Sequence, residues 1–229
     1  KKSPYVFGLL LIFIFSFIAA WVYIPEFKDL FDGPNKEPYD PDLCRFDAGN
    51  RYESDLLNYM DVIYEDRANI SGVMGTFSNT VNCPWGFVHE GFDFFLKNNS
   101  RVLAAAPGQV LHVSYTDNGP EKSNRYFVSL QIQYNCSTIV NYGFEPWTNE
   151  TADWELQKSM ISVKEGDWVS IGQEIGRFLL VGLSGHIHFD VLENDIKYCL
   201  TQYYSEAAYD EMMALINMYL PGYQLCYIE

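Results

Sequence analysis

Short runs of β-branched and aromatic residues, separated by turn residues, dominate the chain between Trp85 and Val191. Closely spaced short strands of this kind are typical of an all-β sandwich or a small barrel. The turns are marked by Pro107-Gly108, Asn118-Gly119, Glu165-Gly166 and Ile171-Gly172. The pattern therefore predicts a mainly β domain.

Helical spacing of apolar residues occurs on both sides of this region. From Tyr52 to Arg67 the spacing predicts an amphipathic helix that packs on the side of the domain. Near the C-terminus, Ser205 is expected to cap a second helix that runs to Tyr219, because Pro221-Gly222 cannot continue it. The residues expected on the apolar faces are Leu56, Met60, Ile63 and Tyr64 in the first helix, and Met212, Leu215, Ile216 and Tyr219 in the second.

The stretch from Tyr5 to Ile24 holds 20 residues without a charge. A helix of that length rises about 30 Å, which is enough to cross the hydrocarbon core of a bilayer. Lys1 and Lys2 precede it and acidic residues follow it, so the positive-inside bias predicts a single-pass anchor with its N-terminus inside. A cleaved signal peptide is the alternative. The expected divisions are the anchor over 1–24, an acidic Pro-containing stalk over 25–50, a helical lead-in over 51–80, the β domain over 81–193 and a C-terminal helical extension over 194–229.

Composition narrows the class of protein and its partners. The chain is 48% hydrophobic and 17% aromatic, which indicates a buried core, and its formal net charge of -15 without a basic cluster argues against nucleic-acid binding. Five cysteines lie far apart without a C-x-x-C pair, so they predict disulfides outside the membrane, with at least one cysteine left over, rather than thiolate zinc. Sequons at Asn69, Asn98, Asn135 and Asn149 are compatible with an exterior surface.

Three of the four histidines lie in two short motifs, His89-Glu-Gly-Phe-Asp93 and Gly185-His186-Ile-His188. In the second motif, Ile187, Phe189 and Val191 are apolar at alternate positions. On a strand, the two histidines of this motif therefore share the opposite face. Imidazole and carboxylate are the ligands of a catalytic Zn²⁺, which takes three from the protein and keeps a fourth position open. His89, Asp93 and one histidine of the pair would complete such a site. Taken alone, the His-x-His motif could be a solvated or hydrogen-bonded histidine pair on the surface. The His-x-x-x-Asp motif alone could be an ion pair in a loop.

The order and spacing of four motifs resemble those of the lysostaphin/LytM-type zinc metallopeptidases. The motifs are His89-x-Gly-x-Asp93-Phe, Val102-Leu-Ala-Ala-Ala-Pro-Gly-Gln-Val110, Val163-Lys-Glu-Gly-Asp-Trp-Val-Ser-Ile-Gly-Gln-Glu-Ile-Gly176 and Gly185-His-Ile-His-Phe-Asp-Val191. The resemblance covers about residues 81–193 and implies a compact antiparallel β-sandwich with a groove. It also implies that His89, Asp93 and His188 bind Zn²⁺ and that His186 is catalytic.

One position departs from that family, which normally has a second catalytic histidine in a Tyr-x-His-Leu segment. The matching stretch is Tyr142-Gly143-Phe144-Glu145, so Phe144 is expected where the histidine would stand. A phenyl ring cannot donate the hydrogen bond that an imidazole would, and losing one such donor costs about 10²–10³ in rate. Glu145 or Tyr142 could compensate if the strand register slips by one residue.

The leading hypothesis is a membrane-anchored, extracytoplasmic zinc endopeptidase that hydrolyses peptide bonds by metal-activated water. The resemblance implies envelope or cell-wall peptides as its substrate. The alternative is a binding or regulatory ectodomain without turnover, because of Phe144. A lipoyl- or biotinyl-type carrier domain is rejected because Lys164 lacks the flanking methionines of a biotinyl site. His112, on an alternating strand, is expected to be an ordinary strand residue.

The predicted topology can be tested on intact cells. A protease added outside should digest the residues after 25 and leave the apolar run protected, because the lysine pair before that run is expected to stay inside. Immunoblotting with an antibody against the C-terminal part measures the digestion, and a cytoplasmic protein serves as the control for cell integrity. Protection of the C-terminal part in intact cells would contradict the extracytoplasmic prediction.

Overall fold

The computed structural model of the chain describes residues 60–229. This part contains twelve β-strands, two α-helices and two short 3-10 helices, the latter at Arg67–Asn69 and Leu200–Gln202. The strands are β1 (Ile70–Met74), β2 (Phe77–Ser78), β3 (Phe92–Leu96), β4 (Arg101–Leu103), β5 (Gly108–Asp117), β6 (Tyr126–Gln133), β7 (Thr138–Glu145), β8 (Trp168–Val169), β9 (Glu174–Arg177), β10 (His186–Glu193), β11 (Ile196–Lys197) and β12 (Cys226–Tyr227). The α-helices are α1 (Thr151–Ser159) and α2 (Glu206–Tyr219).

One antiparallel sheet organises the described part. Its strand order is β1-β3-β10-β7-β6-β5-β8, and β11 also pairs with β10. Two further sheets have two strands each, β4 with β9 in antiparallel and β12 with β2 in parallel orientation. The predicted mainly β, antiparallel architecture is confirmed. The described strands form no closed barrel, and the predicted two-sheet sandwich is not confirmed.

The core lies on one face of this sheet. Strands β6 and β7 bury every second residue, as the period of two residues per pleat requires. Each large apolar side chain that is buried contributes roughly 1.5–3 kcal/mol to the stability of the fold. A register shift by one residue would expose all of these side chains to water. The core residues of the four central strands are Phe92, Phe94, Leu96, Val128, Leu130, Ile132, Val140, Tyr142, Phe144, Ile187, Phe189 and Val191.

The opposite face of the same strands carries polar and charged side chains. Asp93 comes from β3, His186 and His188 from β10, and Glu145 from β7. Strand β10 lies between β3 and β7, so these four residues meet near the middle of the sheet. Since the apolar core fixes the register of the three strands, it also fixes which polar side chains are neighbours.

The C-terminal helix forms where it was predicted. Ser205 is its N-cap, and the Ser205 hydroxyl accepts a hydrogen bond from the Ala208 N–H at 3.2 Å. The Tyr219 hydroxyl donates to the Ile70 carbonyl at 3.0 Å, which ties the end of α2 to β1. The residues buried on its inner face include the predicted Met212, Leu215 and Ile216.

Helix α1 was not predicted from the sequence, because it is short and lies between strands. It is anchored by Gln157, which is fully buried. The amide of Gln157 donates to the Arg177 carbonyl at 2.9 Å and accepts from the Leu179 N–H at 2.8 Å. The Trp154 ring stacks on Tyr126 of β6, with centroids 4.5 Å apart.

The helix predicted over Tyr52–Arg67 is wrong for the part that the structure describes. From Met60 to Asp66 the chain is not helical, and Met60 instead forms an isolated parallel bridge with Tyr204. Ile63 is buried all the same, because the apolar positions of this segment join the core from an irregular backbone.

The predicted anchor and stalk lie outside the described residues. Within 60–229, no helix is both long enough and apolar enough to cross a bilayer.

The cysteines follow the expectation of paired thiols with one left over. Cys199 and Cys226 form a disulfide with Cα atoms 5.8 Å apart, which links the segment before α2 to β12. Cys136 is also disulfide-bonded, and Cys83 is the free cysteine of the described part. Of the sequon residues, Asn135 is buried, and its side-chain oxygen accepts hydrogen bonds from the backbone. Its side chain is therefore not exposed for glycosylation.

Candidate metal centre

Strands β3 and β10 bring together the three residues predicted as metal ligands. In their antiparallel register, His188 lies directly opposite Asp93. His89 precedes β3 and is fixed by two backbone hydrogen bonds with Ser78, one in each direction, at 2.9 and 2.7 Å. Motifs that lie 95 residues apart in the sequence therefore meet at one place on the polar face.

The ligand atoms of His89, Asp93 and His188 all lie within 4.8 Å of one another. One carboxylate oxygen of Asp93 lies 3.2 Å from Nε2 of His89, and the other lies 2.8 Å from Nδ1 of His188. Two imidazole nitrogens and one carboxylate thus face a common point. This is the set of residues that the resemblance implied.

The second nitrogen of His89 has a partner outside the cluster. Nδ1 lies 3.0 Å from the Thr76 carbonyl oxygen. A carbonyl only accepts hydrogen bonds, so Nδ1 carries a hydrogen, and in the neutral ring Nε2 keeps the lone pair that a metal ion would bind. Such an outer hydrogen bond fixes the tautomer and ring orientation of a metal-binding histidine.

The carboxylate of Asp190 lies near the nitrogen of His188 that does not face Asp93. Oδ2 of the buried Asp190 lies 3.6 Å from Nε2 of His188, too long for a direct hydrogen bond but close enough for electrostatic support. Asp190 is itself held by the Asn141 amide at 2.9 Å and by the Lys197 ammonium at 3.2 Å.

Two glycines make room for the imidazole rings. A β-carbon added at Gly91 would lie 2.4 Å from the His188 ring, which is a steric clash. At Gly75 it would lie 2.9 Å from the His89 ring, and the backbone φ of +74° also disfavours any other residue there. Both histidine rings can therefore take these positions only because residues 75 and 91 are glycines.

The charges in the cluster stabilise one another. Burial acts to raise the pKa of Asp93, but hydrogen bonds from His188 and His89 outweigh it and lower this pKa to about 2. Burial acts to lower the pKa of His89, but the hydrogen bond to Asp93 and the charge of that carboxylate together outweigh it, so the pKa lies above its ordinary value. Asp93 is consequently a carboxylate at neutral pH, as a metal ligand must be.

His186 stands beside this cluster as a separate group. Its Nδ1 lies 2.8 Å from the Ser184 carbonyl, so Nδ1 carries the hydrogen in the neutral ring and Nε2 is left free. Nε2 lies 3.6 Å from Oδ1 of Asp93 and 3.6 Å from Oε2 of Glu145. The rings of Phe95 and Trp147 flank the imidazole at centroid distances of 5.5 and 5.7 Å.

Phe144, which the resemblance aligned with the family's second catalytic histidine, does not reach the site. Phe144 pairs with Ile187 on β10 and is fully buried in the core, on the face opposite to His186. Tyr142 is buried on the same core side, where its hydroxyl accepts a hydrogen bond from the Ala105 N–H at 2.7 Å. A histidine introduced at position 144 would therefore enter the core and not the site.

Glu145 is the residue of β7 that reaches the site. It pairs with His186 across the strands, and its Oε2 accepts a hydrogen bond from the Asn124 amide at 2.5 Å. Burial raises the pKa of Glu145 above its ordinary value. The sequence did contain a signal for this placement, because Val140, Tyr142 and Phe144 are apolar at alternate positions and leave Glu145 on the polar face.

His112 does not belong to the cluster. The structure places it on β5, where Nδ1 lies 2.7 Å from a carboxylate oxygen of Glu165 and both side chains are more than half exposed. It is the strand residue that the sequence predicted.

The fold is similar to that of solved peptidases. A zinc-containing peptidase from Vibrio cholerae matches at 21% identity and a TM-score of 0.44, over 63% of this chain and 40% of that one. A putative peptidase M23 from Pseudomonas aeruginosa matches at 21% identity and a TM-score of 0.41, over 69% and 54% of the two chains. The catalytic domain of lysostaphin from Staphylococcus simulans matches at 20% identity and a TM-score of 0.38, over 63% and 94%.

The match spans about half or less of the first two of these proteins. No family model matches the chain, and neither does any curated protein. The likeness concerns the fold.

Replacing Gly91 with alanine should abolish tight zinc binding although no ligand is removed. The added methyl group would occupy the position of the His188 ring, so the ring must move away from Asp93. Zinc content after dialysis, measured by atomic emission, is the readout. Gly72→Ala on β1 is the matched control, because its added carbon would meet Phe95 at an ordinary 3.7 Å. Full zinc occupancy in the Gly91 variant would contradict the placement of His188.

Zinc affinity should rise as the pH rises from about 6 to about 8. His89 has a raised pKa in the metal-free protein, so protons compete with the metal there, whereas Asp93, with a pKa of about 2, stays ionised throughout. Isothermal titration in buffers of different ionisation enthalpy measures the protons released per zinc ion. The part of this release that comes from His89 should fall as the pH rises through the His89 pKa. An affinity that does not change over this interval would show that the ligands are not those named.

Proposed function

We propose that the chain is a zinc metallopeptidase in which His89, Asp93 and His188 bind Zn²⁺ and His186 transfers protons. The observation that carries the proposal is the convergence of the three ligand atoms within 4.8 Å, with a fourth, separately held imidazole beside them. A purely structural metal site would have no need for that fourth group.

The donor set fits zinc better than other common divalent metals. Imidazole nitrogen and carboxylate oxygen are ordinary zinc ligands, whereas Ca²⁺ and Mg²⁺ prefer oxygen alone. Three protein ligands also match catalytic rather than structural zinc sites, which are usually closed by four. In the described part, no cysteine takes part in the ligand cluster.

When bound, zinc would act as a Lewis acid toward the peptide carbonyl and lower the pKa of a water molecule. The chain's own residues then have to orient the substrate and move protons. Hydrolysis requires the water to lose a proton as its oxygen bonds to the carbonyl carbon, and the leaving nitrogen to gain one as the C–N bond breaks. Nε2 of neutral His186, whose other nitrogen is tied to the Ser184 carbonyl, is free to accept the proton from the water.

The surroundings of His186 favour this role. Phe95 and Trp147 flank the ring, and the residue is only 7% exposed. Partial exclusion of water strengthens electrostatic interactions in the site.

We further propose that the domain works outside the cytoplasm, anchored by the apolar run before residue 25, on peptides of the cell envelope. The disulfide between Cys199 and Cys226 and the disulfide-bonded state of Cys136 support an oxidising compartment. The apolar run and the flanking charges support the anchor. The substrate class rests on the motif resemblance.

The competing function, a binding or regulatory ectodomain without turnover, rested on Phe144. That residue lies in the core, and no histidine takes its place on β7. The carboxylate of Glu145 stands opposite His186, and this observation favours turnover over the competing function.

Metal content and hydrolysis should respond differently to the four site residues. His188→Ala and Asp93→Ala should each lose tight zinc binding, because two ligands cannot hold the ion as three do. His186→Ala should keep one zinc ion per chain and lose about 10²–10⁴-fold in kcat, the usual contribution of a positioned acid–base group. Zinc analysis and a peptide-library hydrolysis assay give the two readouts.

The control for removing an imidazole is His112→Ala, which should change neither quantity. The proposal fails if His186→Ala hydrolyses peptides as fast as the wild type, or if the zinc-loaded wild type cleaves no peptide of the library. Full zinc occupancy in His188→Ala or Asp93→Ala would overturn the ligand assignment.

A further inference from the structure

Packing of the core does not explain why a carboxylate stands at position 145. Glu145 is the last residue of β7, its side chain is 21% exposed, and it faces the polar side of the sheet. Within residues 60–229, no lysine or arginine forms an ion pair with it, and Nε2 of His186 lies 3.6 Å from its Oε2. Holding a carboxylate in a largely desolvated place without a cationic partner costs free energy. A functional role explains why it is there.

The carboxylate is aimed at His186. Cross-strand pairing sets Glu145 directly opposite His186, and Oε2 lies 3.6 Å from Nε2. The Asn124 amide donates to this same Oε2 at 2.5 Å and fixes its direction. Nε2 is also the nitrogen left free by the hydrogen bond between Nδ1 and the Ser184 carbonyl. Two groups that can each accept one proton therefore face a common space.

Gly143 lies beside that space. Gly143, two residues before Glu145 on the same face, has no side chain, and a β-carbon there would lie 3.4 Å from His188 and 3.5 Å from Oε1 of Glu145. Nε2 of His186 lies 3.6 Å from an oxygen of Glu145 and 3.6 Å from an oxygen of Asp93, so the carboxylate, this nitrogen and the metal ligands are neighbours on the polar face.

We propose that Glu145 is a second catalytic residue, which shares with Nε2 of His186 the proton that passes from the attacking water to the leaving nitrogen. This role rests on the proposed peptidase function. In the step, one O–H bond of water breaks as the new C–O bond forms, and the pair holds that proton. The proton then bonds to the amine nitrogen as the C–N bond breaks, so the pair ends in its starting state and no other reactant is needed.

The experiment compares the zinc-loaded wild type with Glu145→Gln on a peptide that the wild type cleaves. Glutamine keeps the size of the side chain and an oxygen for the Asn124 amide, but it cannot carry the proton. We expect kcat to fall by about 10²–10⁴-fold with zinc content unchanged. Glu165→Gln, which removes an exposed carboxylate beside His112, is the matched control and should behave as the wild type.

The outcomes separate this role from the function on which it rests. If the zinc-loaded wild type cleaves no peptide, the proposed function fails. If the wild type cleaves and Glu145→Gln stays within about twofold of its kcat, the function stands and the role of Glu145 is refuted. Loss of zinc from Glu145→Gln would also refute it, since Glu145 would then serve the metal site. Glu145→Ala gives a second measurement should the amide disturb folding, and wild-type kcat in that variant would overturn the role equally.

Discussion

The pairing of β10 with β3 on one side and β7 on the other is the constraint on which the site depends. That register sets His188 opposite Asp93 and His186 opposite Glu145. It is fixed from the other face of the sheet, where the alternate residues of the same strands are apolar and fully buried. A slip by one residue would expose several large side chains, each at a cost of roughly 1.5–3 kcal/mol. Hydrophobic packing thus maintains the geometry of the polar side without contacting it.

Asp93 links this geometry to the chemistry. Its two oxygens contact one imidazole each, so the arrangement holds the histidines together before a metal ion binds. Each ligand histidine also has a group behind it, a carbonyl for His89 and a carboxylate for His188. Such outer contacts commonly tune metal affinity. The site is therefore organised by contacts among protein groups, and the glycines at 75 and 91 keep the space that the rings need.

The sequence predicted those parts of the site that depend on local patterns. The period-two alternation after Gly185 places both histidines on one face, and the capping signal at Ser205 locates α2. The prediction missed which residue of β7 reaches the site, because it followed the motif resemblance and not the local alternation of apolar residues in β7. The motif resemblance aligned Phe144 with the site, whereas the alternation of buried residues in β7 assigns Phe144 to the core and Glu145 to the site. The segment after Met60 is a second case, since its apolar residues are buried without the helix that their spacing predicted.

The central claim is that His89, Asp93 and His188 form a single zinc site on the polar face of the sheet. X-ray diffraction from crystals of the zinc-loaded protein, collected on both sides of the zinc absorption edge, tests it most directly, because anomalous scattering locates the ion independently of its ligands. The account predicts one strong peak per chain, bound by two imidazole nitrogens and one carboxylate from these three residues at about 2.0–2.2 Å. A peak at another set of residues, or no peak among these three in zinc-loaded crystals, would contradict it.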